Sequence, residues 1–145
     1  MTTDKATTAS RPARVPAVPA SHRALLDAPV GVLATIGPDG LPQVTALWFL
    51  YDEAAGAVRF SLNTARQKTK NLRARPEASF LVVDPASPYR TLEVRGRVEL
   101  QPDDDYAFAD RVGAKYGADL RKMDKPGERR VMVTLRPAKI NTWGQ

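Results

Sequence analysis

Cysteine is absent from this 145-residue chain, and histidine occurs once, at His22. Without cysteine there are no disulfides, no thiolate metal ligands and no cysteine nucleophile. Zinc sites, serine triads and histidine acid–base catalysis draw on histidines inside the fold. His22 instead follows a Thr-, Ala- and Pro-rich start, and reads as a surface residue at the head of a first helix; no metal site is expected. No apolar run is long enough to cross a bilayer, and the first residues lack the apolar core and small-residue cleavage site of a secretory signal. A cytoplasmic protein with no membrane partner is the expectation. With so few reactive side chains, any chemistry falls to a bound cofactor.

Acidic residues are missing from one stretch in particular. Residues 66–75 carry Arg66, Lys68, Lys70, Arg73 and Arg75 and no Asp or Glu; these five leave only +1 of the net +6 for the rest of the chain. So local an excess suits a compact anionic ligand better than a long polyanion. A basic strip without interleaved aromatics is also a poor stacking platform, so no nucleic-acid partner is expected.

What is present suits a single domain with a core, 43% of the residues being apolar. Residues 1–20, with Pro12, Pro16 and Pro19, follow neither a helical nor a strand period and read as a disordered tail, leaving 21–145 as the domain. Ser21 as N-cap predicts a helix to Ala28, with Leu25 and Leu26 facing inward and Pro29 ending it. A strand over 30–36 then meets the turn Gly37-Pro38-Asp39-Gly40 and pairs with the run Pro42 to Tyr51. A second turn, Asp52 to Gly56, leads to a strand over 57–62. Asn63 or Thr64 caps a helix that runs to Arg75 and stops at Pro76.

Strands follow over 78–83 and 89–100, the latter alternating through Leu92, Val94, Gly96 and Val98. Pro102-Asp103-Asp104-Asp105 opens another helix, its acids favourably placed at the positive end. Phe108, Val112 and Tyr116 form that helix's apolar stripe and Gly117 its C-cap. Residues 117–128 read as loop with a short helical turn, and 130–135 and 139–143 as closing strands. The class is mainly β (α+β): six or seven antiparallel strands in a closed or nearly closed barrel, which removes exposed sheet edges.

One junction points to chemistry. A strand ending in Ser61, Asn63 and Thr64 runs into a helix whose first turn bears Arg66 and Lys68. Unpaired N–H groups at a helix start aim at an anion, Arg66 offers a bidentate fork and Lys68 a mobile point charge. Together they suit a terminal phosphate; the alternative is a solvated basic helix face.

Gly31-Val32-Leu33-Ala34-Thr35-Ile36-Gly37-Pro38-Asp39-Gly40-Leu41-Pro42-Gln43-Val44 is similar to the opening hairpin of the pyridoxamine-phosphate-oxidase-like split barrels, "G-x-L-A-T" before "D-G-x-P-x-x". Arg66-Gln67-Lys68-Thr69-Lys70-Asn71-Leu72, followed by Arg75-Pro76, resembles their "R-x-K-x-x-N-L…P" element. Gly96 in Arg95-Gly96-Arg97-Val98 fits their "G-x-A/V" strand. The likeness spans residues 22–143 and is strongest to the actinobacterial branch that uses the 8-hydroxy-5-deazaflavin coenzyme F-420.

That resemblance implies a homodimer with a cofactor groove at each end of the subunit interface. The deazaflavin ring is then expected along the second strand, near Pro42, Gln43, Val44 and Thr45. Its phosphate-bearing tail is expected at Arg66 and Lys68, with Ser61, Asn63, Thr64 and Thr69 beside it. Tyr89 and Arg90 of the opposite subunit, and Trp143, are expected to close the groove. Trp48 and Phe49, inside a continuous apolar run, read as core or interface packing, and Arg59 as facing away from Val58 and Phe60.

The implied reaction is hydride transfer from reduced deazaflavin to an unsaturated or conjugated small-molecule substrate, needing no catalytic histidine or cysteine. No residue identifies itself as proton donor. The rivals are the same barrel holding FMN, as a flavin reductase or pyridoxamine-phosphate-type oxidase, and a deazaflavin carrier without catalysis. The oxidase is longer and richer in C-terminal basic residues than the ending Lys139 to Gln145. Haem lacks an axial ligand apart from His22.

Overall fold

The computed structural model describes residues 15–145. Of the tail expected over 1–20, residues 1–14 lie outside the described residues; Val18 is buried and packs in the core. A 3-10 helix, Ala20–Asp27, comes first, with Leu25 and Leu26 turned inward. Its cap is Pro19, not Ser21, and no side chain caps it. Seven strands follow: β1 Gly31–Ile36, β2 Pro42–Leu47, β3 Leu50–Asp52, β4 Ala57–Asn63, β5 Glu77–Asp84, β6 Ser87–Pro102 and β7 Arg130–Trp143. Helix α1, Gln67–Ala74, lies between β4 and β5. Helix α2, Ala107–Tyr116, and a second 3-10 helix, Leu120–Met123, lie between β6 and β7.

Turn chemistry sets the first register. Gly40 N–H donates to the Gly37 carbonyl and Gly37 N–H to the Leu41 carbonyl, both at 2.9 Å. Gly40 takes φ 82°, which glycine adopts without a Cβ penalty. This three-residue loop places Thr35 opposite Gln43 and Leu33 opposite Thr45. All pairings are antiparallel, in the order β2-β1-β5-β6-β7-β4-β3.

The run expected as one strand over Pro42 to Tyr51 is two. Trp48 and Phe49 break it, and β2 and β3 lie at opposite edges of the sheet. A flat seven-stranded sheet would hold those edges about 29 Å apart, yet three Cα steps reach about 11 Å at most. The sheet therefore curls into a split barrel. Strand β6, 16 residues long, makes this possible by pairing with β5 through its first part and with β7 along most of its length.

Inside the barrel, alternate residues of each strand meet. On β6, Leu92, Val94 and Val98 are buried while Arg95 and Arg97 face out. Phe80 packs edge-on to Phe49, centroids 4.9 Å apart, and to Phe60 at 5.2 Å. A second cluster lies on the other face of the sheet, where Phe108, Ala109 and Val112 of α2 and Leu120 meet Leu50 and Met132. Helix α2 starts later than the expected opening at 102–105, with Tyr106 in the cap position, but the buried Asp103 carboxylate does lie at its positive end, accepting from Phe108 N–H (3.0 Å) and Ala109 N–H (2.9 Å). Gly117 closes the helix at φ 63°.

Two further expectations need correcting. His22 is buried; Ser21 Oγ contacts its Nδ1 at 2.8 Å and the Trp143 carbonyl accepts from its Nε2 at 3.0 Å, joining the first helix to the last strand. The two closing strands are one continuous β7, whose register slips at Ala138 so that Gly96 faces Pro137 and Arg95 faces Lys139. A Cβ at Gly96 would collide with the Arg136 backbone carbonyl. Gly96→Ala is accordingly expected to cost about 1–3 kcal/mol, read as a lower urea midpoint with an unchanged slope.

Candidate functional site

The basic segment is placed by its uncharged neighbours. Thr69 and Leu72 of α1 are 0% exposed and Asn71 is 2%. The Thr69 hydroxyl donates to the Asn63 carbonyl at 2.7 Å. Asn71 Nδ2 donates to Thr35 Oγ1 (3.1 Å) and Gln43 Oε1 (3.0 Å), while its Oδ1 accepts from Gln67 Nε2 at 2.9 Å. These bonds pin α1 to the β1–β2 hairpin and to the end of β4. The helix starts later than expected, with Arg66 as N-cap. Asn63 is not its cap: it ends β4, and its Oδ1 accepts from Ala65 N–H at 2.8 Å, an Asx turn that swings the chain into α1.

Arg66 and Lys68 then line an open cleft of about 160 Å³. Its polar wall comprises Ser61, Asn63, Arg66, Lys68, Asp124 and Arg130; Leu47, Trp48, Val112, Leu120 and Met123 make the apolar one. Neither Arg66 nor Lys68 belongs to any of the nine ion pairs formed among the described residues. Burial, and then the neighbouring Arg66 charge, pull the Lys68 ammonium below its ordinary pKa. Two adjacent cations without a carboxylate, one of them half-buried, form an anion site in electrostatic terms.

The cleft floor holds a group of residues that the sequence did not mark. Asp124, just after the second 3-10 helix, and Arg130, the first residue of β7, form the least exposed ion pair among the described residues, 3% and 8% exposed. Arg130 Nε donates to both carboxylate oxygens, at 3.1 and 2.9 Å. Asn63 Nδ2 and the Tyr106 hydroxyl donate to the same carboxylate, each at 2.9 Å. Arg130 Nη1 donates to Ser61 Oγ at 3.2 Å. Tyr106 is the sole non-glycine at positive φ (60°) among the described residues, a strained turn that serves this contact. Burial opposes the Asp124 charge, but the bonds from Arg130, Asn63 and Tyr106 outweigh it and hold the carboxyl below the ordinary carboxylate value.

Of the sequence-predicted site residues, Ser61, Asn63, Arg66 and Lys68 converge on this cleft. Thr69 lies beneath it with its hydroxyl committed to Asn63. Thr64 is tied by its N–H to the Arg129 carbonyl at 2.9 Å and does not line the cleft. Pro42, Gln43, Val44 and Thr45 lie on β2, an edge strand. The register leaves the backbone groups of Val44 and Ala46 facing the open edge, and Gln43 turns its side chain to Asn71. Tyr89 and Trp143, 83% and 72% exposed, stand outside the cleft. Arg90 is held by Asp84 (3.2 Å) and the Ser21 carbonyl. Asp124 and Arg130 went unmarked because five residues of generic loop and turn separate them, and only the fold makes them partners.

A family model described as pyridoxamine 5'-phosphate oxidase matches residues 18–144. A solved F420 reductase is similar, with 41% identity, a TM-score of 0.74, and 86% of this chain and 98% of that one covered. A conserved hypothetical protein of Mycobacterium tuberculosis shares 26% identity, with a TM-score of 0.70 over 90% and 87% of the two chains. The pyridoxine/pyridoxamine 5'-phosphate oxidase of Rhodopseudomonas palustris (strain BisB5) is 32% identical over 124 residues; these are 83% of this chain and only 58% of that protein's length. Among the described residues no helix is long and apolar enough to cross a membrane.

The buried pair carries a pH signature. Asp124 titrates below its ordinary 3.8 in the folded chain, so the unfolded chain binds the proton first as pH falls. Its stabilisation is full above about pH 5 and drains away below, as pH drops through the lowered native value. Thermal melts are expected to show a constant gap between the unmodified protein and Asp124→Asn from pH 7 to about 5, narrowing steadily in more acid buffer.

Proposed function

The chain belongs to the pyridoxamine 5'-phosphate oxidase family, an oxidoreductase family of flavin- and deazaflavin-binding split barrels, and on that footing we propose that it is a coenzyme F-420-dependent reductase. The observation that carries this reading is the pair Arg66 and Lys68, two cations with no carboxylate partner at the lip of a cleft. Two N–H groups of the first turn, at Gln67 and Lys68, also lack an acceptor among the described residues. Such a site fits the phosphate of a phosphorylated coenzyme. The 41% identity to an F420 reductase favours deazaflavin over FMN.

Bound reduced deazaflavin supplies a hydride. The chain's own part is to hold and orient. Arg66 grips phosphate oxygens through its planar fork, and Lys68 adds a point charge made stronger by partial desolvation. The open edge of β2 offers the Val44 and Ala46 backbone groups to the polar rim of a flat ring. Trp48, stacked on Tyr116 with centroids 4.5 Å apart and planes within 8°, gives one side of the cleft a rigid apolar wall. The substrate this fits is an unsaturated or conjugated small molecule able to lie against that wall.

We infer a homodimer, and an uncovered face supports that reading. Val44, Leu81, Val83 and Trp143 share the outer surface of the sheet and are each at least 36% exposed. An apolar patch of this kind marks an interface. Sedimentation equilibrium is expected to return close to twice 15.9 kDa.

The functional reading is tested by titrating the protein with oxidised coenzyme F-420 and, separately, FMN, following ligand fluorescence. Micromolar or tighter binding of the deazaflavin is expected, with Arg66→Ala and Lys68→Ala each weakening it about tenfold or more, as loss of a charge-assisted hydrogen bond implies. Binding of FMN alone would favour the flavin-oxidase reading that the Rhodopseudomonas relative suggests. Binding of reduced coenzyme without its oxidation by quinones or enones would mark a carrier.

A further inference from the structure

Stability alone does not account for the Asp124–Arg130 pair, because well-packed apolar residues in place of a buried ion pair are often as stable. Its geometry suggests a different task. Arg130 is more than nine-tenths buried, yet its guanidinium is only partly used. Nε serves Asp124, and Nη1 serves the carbonyl (3.4 Å) and hydroxyl (3.2 Å) of Ser61. Nη2 has no acceptor among the described residues, and it is not among the fully enclosed unpaired atoms, of which Arg59 Nε is the one found. Arg130 lines the same cleft as Arg66 and Lys68.

We propose that Arg130 is the third cation of the anion cradle and that Asp124 is its positioning residue, holding the guanidinium so that Nη2 faces the bound anion. The inference rests on the functional reading above and deepens it. Asp124 is prevented from competing with the ligand. Its carboxylate takes Arg130 Nε on both oxygens, Asn63 on one and Tyr106 on the other, so its lone pairs are turned into the protein. The connecting turn is itself fixed: Gly127 sits at φ 85°, and Lys125 and Glu128 exchange hydrogen bonds at 2.8 and 3.0 Å. The net charge offered to the ligand is that of three cations and one occupied carboxylate.

The sign of one substitution separates this account from plain electrostatics. Removing a carboxylate from an anion site should tighten binding if Asp124 acts only as a charge. If it positions Arg130, Asp124→Asn should weaken coenzyme F-420 binding at least tenfold in the fluorescence titration. In an Arg130→Gln background the same change should then cost nothing, since there is no guanidinium left to hold. Arg130→Lys keeps the cleft charge but cannot bridge Asp124 and the ligand together, and should also lose at least tenfold. It serves as the test if Asp124→Asn does not fold, with thermal melts confirming that each titrated variant is native.

Unchanged or tighter binding by Asp124→Asn overturns the proposal, as do losses that multiply in the double variant, which is what a merely structural role would give. Unchanged binding by Arg130→Lys overturns it too. In each of these cases the unmodified protein still binds, and the functional reading stands. If the unmodified protein binds neither coenzyme F-420 nor FMN, the reading and the inference fall together.

Discussion

Trp48 and Phe49 join strands that lie at opposite edges of the sheet, and the rest of the molecule is arranged around that two-residue link. It is clamped heavily. The Tyr116 hydroxyl accepts from Phe49 N–H and donates to the Phe49 carbonyl, both at 3.1 Å. Lys115 Nζ donates to the same carbonyl at 2.8 Å and to that of Ala28 at 3.3 Å, lying 4.2 Å from the Phe49 ring centroid. Phe49 itself is fully buried against Phe80. The C-terminal turn of α2 thus holds the barrel's split in place, and the same stretch, through Trp48 and Val112, supplies the apolar wall of the cleft.

Charge is distributed with the same division of labour along α1. Asn71, Leu72 and Thr69 anchor the helix, leaving Arg66 and Lys68 at its start with nothing to neutralise them. Like charges so close repel each other, and the cost is borne by packing that an isolated helix of eight residues could not supply. The motif of arginine, lysine, asparagine and leucine therefore reads as two functional cations followed by two anchors. An anion bound between the cations relieves the repulsion that the fold imposes.

The fold class, the hairpin over Asp39-Gly40, the cap at Gly117 and most strand positions were legible because turn residues and alternation are local signals. The switch at Trp48 was not: a continuous apolar run looks alike whether one strand crosses a core or two strands part company. His22 was misplaced for a similar reason, since its acceptor lies on Trp143, 121 residues away. Four of the six residues of the polar cleft wall, Ser61, Asn63, Arg66 and Lys68, were visible in the sequence. The remainder, Asp124 and Arg130, exists only because β7 begins beside the end of β4, pairing Arg130 with Asn63.

The central claim is that the unpaired cations at the start of α1 hold the phosphate of a deazaflavin coenzyme. A crystal structure of the protein with coenzyme F-420 tests it most directly. The account predicts the phosphate within hydrogen-bond distance of both Arg66 and Lys68, above the Asp124–Arg130 pair. A phosphate found instead on the outer face of the helix, against Lys70, Arg73 and Arg75, would contradict it.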